Sequence, residues 1–144
     1  MTKTIKQLLQ TKGHDVWSIT SVASVFDAIR VMSDKGVGAL PVVDAGKLVG
    51  IISERDYARK VILQGKSSRD TPVSAIMTAK VYYIRAEQSI EEGMALMTDK
   101  RIRHLPVFEN DQMIGIVSIG DLVREIISNQ EFLIGQLENY ITGG

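Results

Sequence analysis

Residues 40–56 read LPVVDAGKLVGIISERD, and residues 105–121 read LPVFENDQMIGIVSIGD. The two stretches align at an offset of 65 without a gap, and the same offset extends the match to Trp17–Ile62 and Tyr82–Ile127. These 46 aligned pairs contain 14 identities, whereas average composition would give roughly 3 at about 6% per position. The chain therefore contains an internal duplication, and the repeated unit is the basis for predicting its fold.

Each copy of the repeat has the pattern of a strand, a helix, a hairpin and a second helix. Ser24 and Ser89 are the predicted N-caps of the first helices, and Ser53 and Ser118 begin the second helices. The predicted fold class is α+β, with two tandem βαββα units related by pseudo-twofold symmetry, plus terminal helices. The predicted strands and first helices are Trp17–Ile19, Ser24–Lys35, Ala39–Val43 and Leu48–Ile52, then Val81–Ile84, Ser89–Arg101, His104–Phe108 and Met113–Val117.

The predicted boundaries follow the repeat. Residues 1–68 form a first unit with an N-terminal helix, residues 69–128 form a second unit, and residues 129–144 form a C-terminal helix. A polar segment, Gln64–Pro72, links the two copies. A unit of about 60 residues is marginally stable alone, so the two copies are expected to share a core.

Composition narrows the class of protein. Formal net charge is zero, from 17 basic and 17 acidic side chains, which disfavours a dedicated nucleic-acid binder. The chain has no cysteine, which excludes disulfides, thiolate metal sites and a cysteine nucleophile. Met1–Lys12 does not resemble a signal peptide, and Val16–Phe26, the longest uncharged run, is too short and polar for a membrane span. The sequence predicts a cytoplasmic protein with no membrane contact.

Ser118 and Asp121 form the first candidate site. A serine at a helix start lies beside free N–H groups and the positive end of the helix dipole, which together suit a phosphate. A carboxylate one turn later can accept both hydroxyls of a ribose. The same residues also fit a capping box that binds no ligand. The residues by themselves leave both interpretations open.

Ser53 and Asp56 are the matching pair in the first copy. Arg55 lies between them, and its guanidinium suits phosphate oxygens. Alternatively, Arg55 is a solvated charge in the first turn of a helix.

The repeated motifs resemble those of the tandem cystathionine-β-synthase-type (CBS) domain pair, or Bateman module, and are most similar to small stand-alone CBS-pair proteins. The resemblance lies in Ile76–Thr78 before the second copy, in the hydrophobic-Pro-Val strand and in Gly-Ile-Ile/Val-Ser-x-x-Asp, each in order and twice. It implies a non-enzymatic regulatory module without a catalytic cofactor, which binds an adenine nucleotide. AMP is the first choice, and NAD(H), ADP, ATP and S-adenosylmethionine are alternatives. It also implies a homodimer that signals to an unidentified protein partner.

The resemblance also implies further ligand contacts just before each Pro-Val strand. In the second copy these positions are Arg103 and His104, which are predicted to supply positive charge to a phosphate. In the first copy they are Gly38 and Ala39, which leave the backbone accessible. The alternative for Arg103 and His104 is a basic surface corner.

Adenine requires apolar or aromatic walls, and the residues that enter each first strand are the candidates. These are Val16 and Trp17 in the first copy and Lys80 and Tyr82 in the second. The alternative is that Trp17 and Tyr82 are core or interface aromatics.

Other functions remain as alternatives. A structural dimerisation module with vestigial clefts is one, and a CBS protein that binds nucleic acid through a basic strip is another. A heptad-like stripe at Ile126, Leu133, Leu137 and Tyr140 predicts a dimer contact, or else packing within the same domain. His14 and His104 have no neighbours at ligand spacing, which disfavours a metal site. An enzyme is disfavoured because the sequence shows no nucleophile with a base and no phosphate loop.

Overall fold

The computed structural model describes residues 3–142, and it describes side chains up to Asn139. The chain divides into two compact units. The first-repeat unit is Asp15–Tyr82, and the second-repeat unit is Met1–His14 together with Tyr83–Gly144.

The first-repeat unit is built from one helix packed on a hairpin. Helix α2 (Val25–Lys35) begins at Ser24, whose Oγ accepts the Asp27 N–H at 3.1 Å, and it ends at Gly36 with a φ of 65°. Glycine suits that left-handed conformation because it has no Cβ. Strands β1 (Ala39–Asp44) and β2 (Lys47–Ser53) pair antiparallel, and Ile19 forms an isolated parallel bridge with Val42. The core of this unit contains Val25, Ala28, Met32, Leu40, Val42, Ile52, Val61, Val73 and Ile76.

Short helical turns complete the first-repeat unit. Helix α3 (Glu54–Tyr57) continues into a π-helical turn, Ala58–Ile62, and a 3-10 turn follows at Val73–Ala75. The segment after that turn runs back along β2, where the Ile51 N–H donates to Thr78 O at 3.0 Å.

The second-repeat unit has the same plan with an extra strand pairing. Strands β3 (Ile84–Arg85), β4 (His104–Glu109) and β5 (Gln112–Ser118) form a sheet in that order, parallel and then antiparallel. Helix α4 (Ile90–Lys100) begins with a capping box between Ser89 and Glu92. The Ile84–Val107 pairing matches Ile19–Val42 at the repeat offset of 65. The predicted α+β class and the repeated plan are confirmed, but the predicted strand Trp17–Ile19 is reduced to the isolated bridge at Ile19, and the predicted strand Val81–Ile84 is the short strand Ile84–Arg85.

Helix α1 (Ile5–Lys12) packs within the second-repeat unit, whereas the sequence grouped it with the first. Its Ile5, Leu8 and Leu9 side chains are buried. The Ile5 N–H donates to Gln88 O at 2.8 Å. Apolar periodicity predicts that such a helix exists, but it does not specify which sheet the helix covers.

Helix α5 (Ile119–Thr142) is one continuous helix of 24 residues, whereas the sequence divided this segment at residue 128. The span contains no proline, and its glycines, Gly120 and Gly135, are accommodated within the helix. The predicted stripe residue Tyr140 lies outside the residues whose side chains are described.

Candidate functional site

Ser118 and Asp121 lie at the junction of β5 and α5. The Ser118 N–H donates to Asp121 Oδ2 at 2.8 Å, and the Asp121 N–H donates to Ser118 Oγ at 3.2 Å. This reciprocal pair is the geometry of a capping box. It also fixes a carboxylate at the first turn of a long helix, where the dipole favours negative charge.

Two cations contact the Asp121 carboxylate. Lys12 Nζ lies 2.5 Å from Oδ2, and Arg124 Nη2 lies 2.7 Å from Oδ1. Burial, with the side chain 8% exposed, raises the pKa of Asp121. Hydrogen bonds from Lys12 and Ser118 outweigh that effect, so the pKa is below its usual value. The carboxylate is therefore ionised at neutral pH and acts purely as an acceptor.

His104 and the backbone of Arg103 lie beside the box formed by Ser118 and Asp121. His104 pairs with Ser118 across β4 and β5, and the Ile119 N–H donates to Arg103 O at 2.8 Å. Burial lowers the pKa of His104, the charges of Lys12 and Arg103 lower it further, and the opposing charge of Asp121 does not outweigh them. His104 is therefore a neutral imidazole at pH 7, in contrast to the cation that the sequence suggested. Arg103 is exposed and carries the positive charge of the pair.

In the first-repeat unit, Ser53 and Asp56 repeat the same box. The Ser53 N–H donates to Asp56 Oδ2 at 3.0 Å, and the Asp56 N–H donates to Ser53 Oγ at 3.2 Å. Lys60 Nζ lies 3.3 Å from Asp56 Oδ1 and donates to Ile76 O at 2.9 Å. Arg55 is exposed on α3. Helical structure continues from α3 through the π-helical turn to Ile62, so the N-terminal end of α3 also favours negative charge.

Gly38 and Ala39 lie next to this first box. Ala39 pairs with Ser53, and the Glu54 N–H donates to Gly38 O at 3.0 Å. These contacts match those of His104 and Arg103 at the repeat offset. Gly38 also lines a pocket of about 500 Å³, together with Met32, Val37, Glu54 and Tyr57.

Val16 and Trp17 belong to the first-repeat unit, and so do Lys80 and Tyr82, which the sequence assigned to the second copy. Trp17 is 41% exposed, and Lys35 Nζ lies 4.2 Å from its ring centroid. Tyr82 and Val16 are half-buried, and Lys80 Nζ lies 5.7 Å from the centroid of the Tyr82 ring. An exposed indole with one face near a cation can still offer its other face to a base.

The predicted residues thus form local groups within each unit. Ser118 and Asp121 join Arg103 and His104 in the second-repeat unit, and Ser53 and Asp56 join Gly38 and Ala39 in the first. The sequence missed Lys12. This residue lies 109 positions from Asp121, and the missed placement of α1 concealed their contact.

Neither a metal site nor a membrane-spanning helix is found in residues 3–142. Within this range the chain forms no cluster of three or more histidine, cysteine or carboxylate side chains able to hold a metal ion. Within the same range, no helix has the length and apolar character to cross a membrane.

Comparison with known proteins identifies the repeat. A family model for the CBS domain matches residues 5–62 and 73–128. The Arabidopsis thaliana CBS domain-containing protein CBSX3, mitochondrial, is 43% identical over 151 residues, covering 98% of this chain and 73% of that protein. A solved CBS-domain protein from Burkholderia ambifaria MC40-6 is 50% identical with a TM-score of 0.86, covering 89% of this chain and 96% of that chain.

A more distant solved structure holds ligands. The CBS domain pair of protein MJ0100, in complex with 5′-methylthioadenosine and S-adenosyl-L-methionine, is 26% identical with a TM-score of 0.80, covering 90% of this chain and 99% of that chain. The family matches cover both copies of the repeat, and the solved relatives share its fold. The chain therefore belongs to the CBS-domain family and is a tandem CBS pair, a regulatory module.

Proposed function

We propose that this CBS pair is a non-enzymatic sensor of an adenosine-containing ligand, with AMP as the first choice. NAD(H), ADP, ATP and S-adenosylmethionine are the alternatives. Binding would change how the module engages a protein partner, which requires that the ligand bind one state of the module more tightly than another. We propose a cytoplasmic location, although the Arabidopsis relative is named as mitochondrial.

The arrangement around Asp121 is the main support for this proposal. An ionised carboxylate that is 8% exposed at a helix start can accept the two hydroxyls of a ribose. Asp56 forms the same capping box with Ser53 in the first-repeat unit. Because both units carry a serine–aspartate box, both are suited to bind ligands of the same chemical class through a sugar.

Positive charge near Asp121 supports a ligand that carries phosphate. Lys12 and Arg124 contact the carboxylate directly, and Arg103 is exposed on the neighbouring strand. Lys12 and Arg124 both contact the single carboxylate of Asp121, which leaves one positive charge in excess at the N-terminal end of α5. A phosphate is favoured there by both the cations and the helix dipole.

Ligands bound to a related protein support the adenosine part of the proposal. Protein MJ0100 was solved with two adenosine derivatives. Both contain the ribose diol for which Asp121 is the proposed acceptor.

Thermal unfolding with a ligand panel tests the proposal. The panel is AMP, ADP, ATP, NAD, NADH and S-adenosylmethionine, with GTP as the control for the base. A ligand present at about 100 times its Kd adds about 2.7 kcal/mol, which shifts the midpoint by several degrees. We expect an adenosine compound to raise the midpoint and Asp121→Ala to abolish the rise. The proposal is wrong if millimolar concentrations of every compound leave the midpoint unchanged, and the non-enzymatic part is wrong if the bound compound is turned over.

A second copy of the chain is the proposed partner of α5. Helix α5 exposes Leu133, Ile134 and Leu137, each at more than half of its surface, and Ile127 at 48%. Ile127 and Ile134 are seven residues apart, and Leu137 follows Leu133 by four residues and Ile134 by three, so these side chains form a stripe on one face of the helix. Pairing such stripes between two helices would bury them, and a homodimer is the simplest way to do so.

A further inference from the structure

Lys12 occupies an acceptor position that the proposed ribose contact needs. A carboxylate offers about four lone-pair positions on its two oxygens. On Asp121, Oδ2 accepts the Ser118 N–H at 2.8 Å and Lys12 Nζ at 2.5 Å, so both of its positions are used. Oδ1 accepts Arg124 Nη2 at 2.7 Å, which uses one of its two positions.

A ribose diol that donates to both oxygens therefore requires a donor to leave Oδ2. The Ser118 N–H is held in place by the strand pairing of Ser118 with His104. Lys12 is the donor that can leave, because its side chain is 35% exposed and extends from the last residue of α1. The Lys12 ammonium also donates to Ile116 O at 2.7 Å, which keeps it near the carboxylate after release.

The donors around Asp56, in the first-repeat unit, differ from those around Asp121. Asp56 Oδ2 accepts the N–H and the hydroxyl of Ser53, at 3.0 and 3.1 Å. Lys60 Nζ lies 3.3 Å from Oδ1, and this residue follows Asp56 by one turn on the same segment. The contact between a lysine of α1 and the aspartate of the box is therefore described for Asp121 in the second-repeat unit.

We propose that Lys12 is a phosphate-dependent latch on Asp121, a role that depends on the adenosine site proposed above. Without ligand, the ammonium holds Oδ2. When a nucleotide binds, a ribose hydroxyl donates a hydrogen bond to Oδ2 in place of Lys12. The Lys12 ammonium then pairs with the 5′-phosphate. The charge pairing lost at the carboxylate is recovered at the phosphate. An adenosine derivative with an uncharged 5′ group breaks the same pairing without recovering it, so Lys12 selects for phosphate.

Calorimetric titration with AMP and 5′-methylthioadenosine tests the latch, because both carry the ribose diol and only AMP carries the phosphate. We expect the wild type to bind AMP more tightly by about tenfold or more, the size of a hydrogen bond to a charged group. In Lys12→Met, the ratio of the two affinities should fall by a similar factor, because the thioether side chain neither blocks Oδ2 nor binds phosphate.

Lys6→Met is the matched control. Lys6 lies on the same helix and pairs with Glu109 at 2.8 Å, away from Asp121, so this variant should keep the wild-type ratio. If Lys12→Met does not fold, Lys12→Gln removes the charge and keeps a donor, and it should lower the ratio in the same direction.

The outcomes separate the two proposals. If the wild type binds both compounds, Asp121→Ala abolishes binding and Lys12→Met leaves the ratio unchanged, the sensor proposal stands and the latch is wrong. A wild type that prefers 5′-methylthioadenosine also overturns the latch alone. If the wild type binds no adenosine compound, both proposals are wrong.

Discussion

Leu9 of α1 lies directly against the backbone of Gly115 in β5. A Cβ built on Gly115 would lie 2.8 Å from Leu9 Cδ2, and Leu9 is fully buried. The first-repeat unit has an equivalent contact, since a Cβ on Gly50 would lie 2.7 Å from Met77 Sδ. In each unit, the segment that covers this glycine comes from just before the other copy of the repeat.

Gly115→Ala should destabilise the protein by about 1–3 kcal/mol, because the added methyl overpacks a buried contact. The free energy of unfolding, measured by chemical denaturation, tests this value. Gly135→Ala is the matched control, because its Cβ would meet nothing within 4 Å on α5. This control should be neutral or stabilising, by up to about 1 kcal/mol. Equal stability of Gly115→Ala and the wild type would show that α1 does not pack as described.

Local signals in the sequence predicted the elements of the fold well. Serine caps, helical periodicity and the two hairpins all depend on residues near each other in sequence, and the duplication supplied each signal twice. The packing of Leu9 on Gly115 depends on residues 106 positions apart, so no local signal specifies it. A usable clue was present nonetheless: glycine inside a strand often marks the close approach of another segment, and both copies carry one.

The candidate site, like the fold, was predictable where it depends on residues close in sequence, and not where it depends on tertiary packing. The boxes at Ser53 and Ser118 follow from the spacing of serine and aspartate, so their geometry could be expected. The neutral state of His104 depends on burial and on Lys12. Both follow from tertiary packing, which spacing within one copy does not report.

Asp121 should contribute stability that is lost in acid. Its folded pKa lies below the reference value of 3.8, so the unfolded chain takes up the proton first as the pH falls. The contribution is present above about pH 5 and disappears as the pH falls through the folded pKa. Asp121→Asn removes the charge and keeps an acceptor for the Ser118 N–H.

Unfolding free energies at pH 7 and pH 3 measure this contribution. The wild type should lose more stability between the two than Asp121→Asn does. Asp99→Asn is the control, because its side chain is 71% exposed, and it should follow the wild type. If Asp121→Asn loses as much as the wild type, the carboxylate is not stabilised in the folded protein.

His104 should titrate below its reference pKa of 6.5, because burial and then Lys12 disfavour its charged form. Chemical shifts of the ring carbon, followed by NMR against pH, give the midpoint directly. In Lys12→Met the midpoint should move upward, because a neighbouring positive charge has been removed. Since the folded pKa is depressed, protonation of His104 also destabilises the fold below about pH 6.5. A midpoint at or above 6.5 would contradict both the burial and the neutral assignment.

Leu133→Glu and Leu137→Glu should dissociate the proposed homodimer. Each places a charge within the apolar stripe of α5, and burying an unpaired carboxylate between two helices is strongly unfavourable. Sedimentation velocity should show a dimer for the wild type and a monomer for the double variant. Ser128→Glu adds one charge to the opposite face of the same helix, so it should leave the dimer intact. A wild type that sediments as a monomer would overturn the dimer, and an equal loss of assembly in Ser128→Glu would assign the effect to added charge rather than to the stripe.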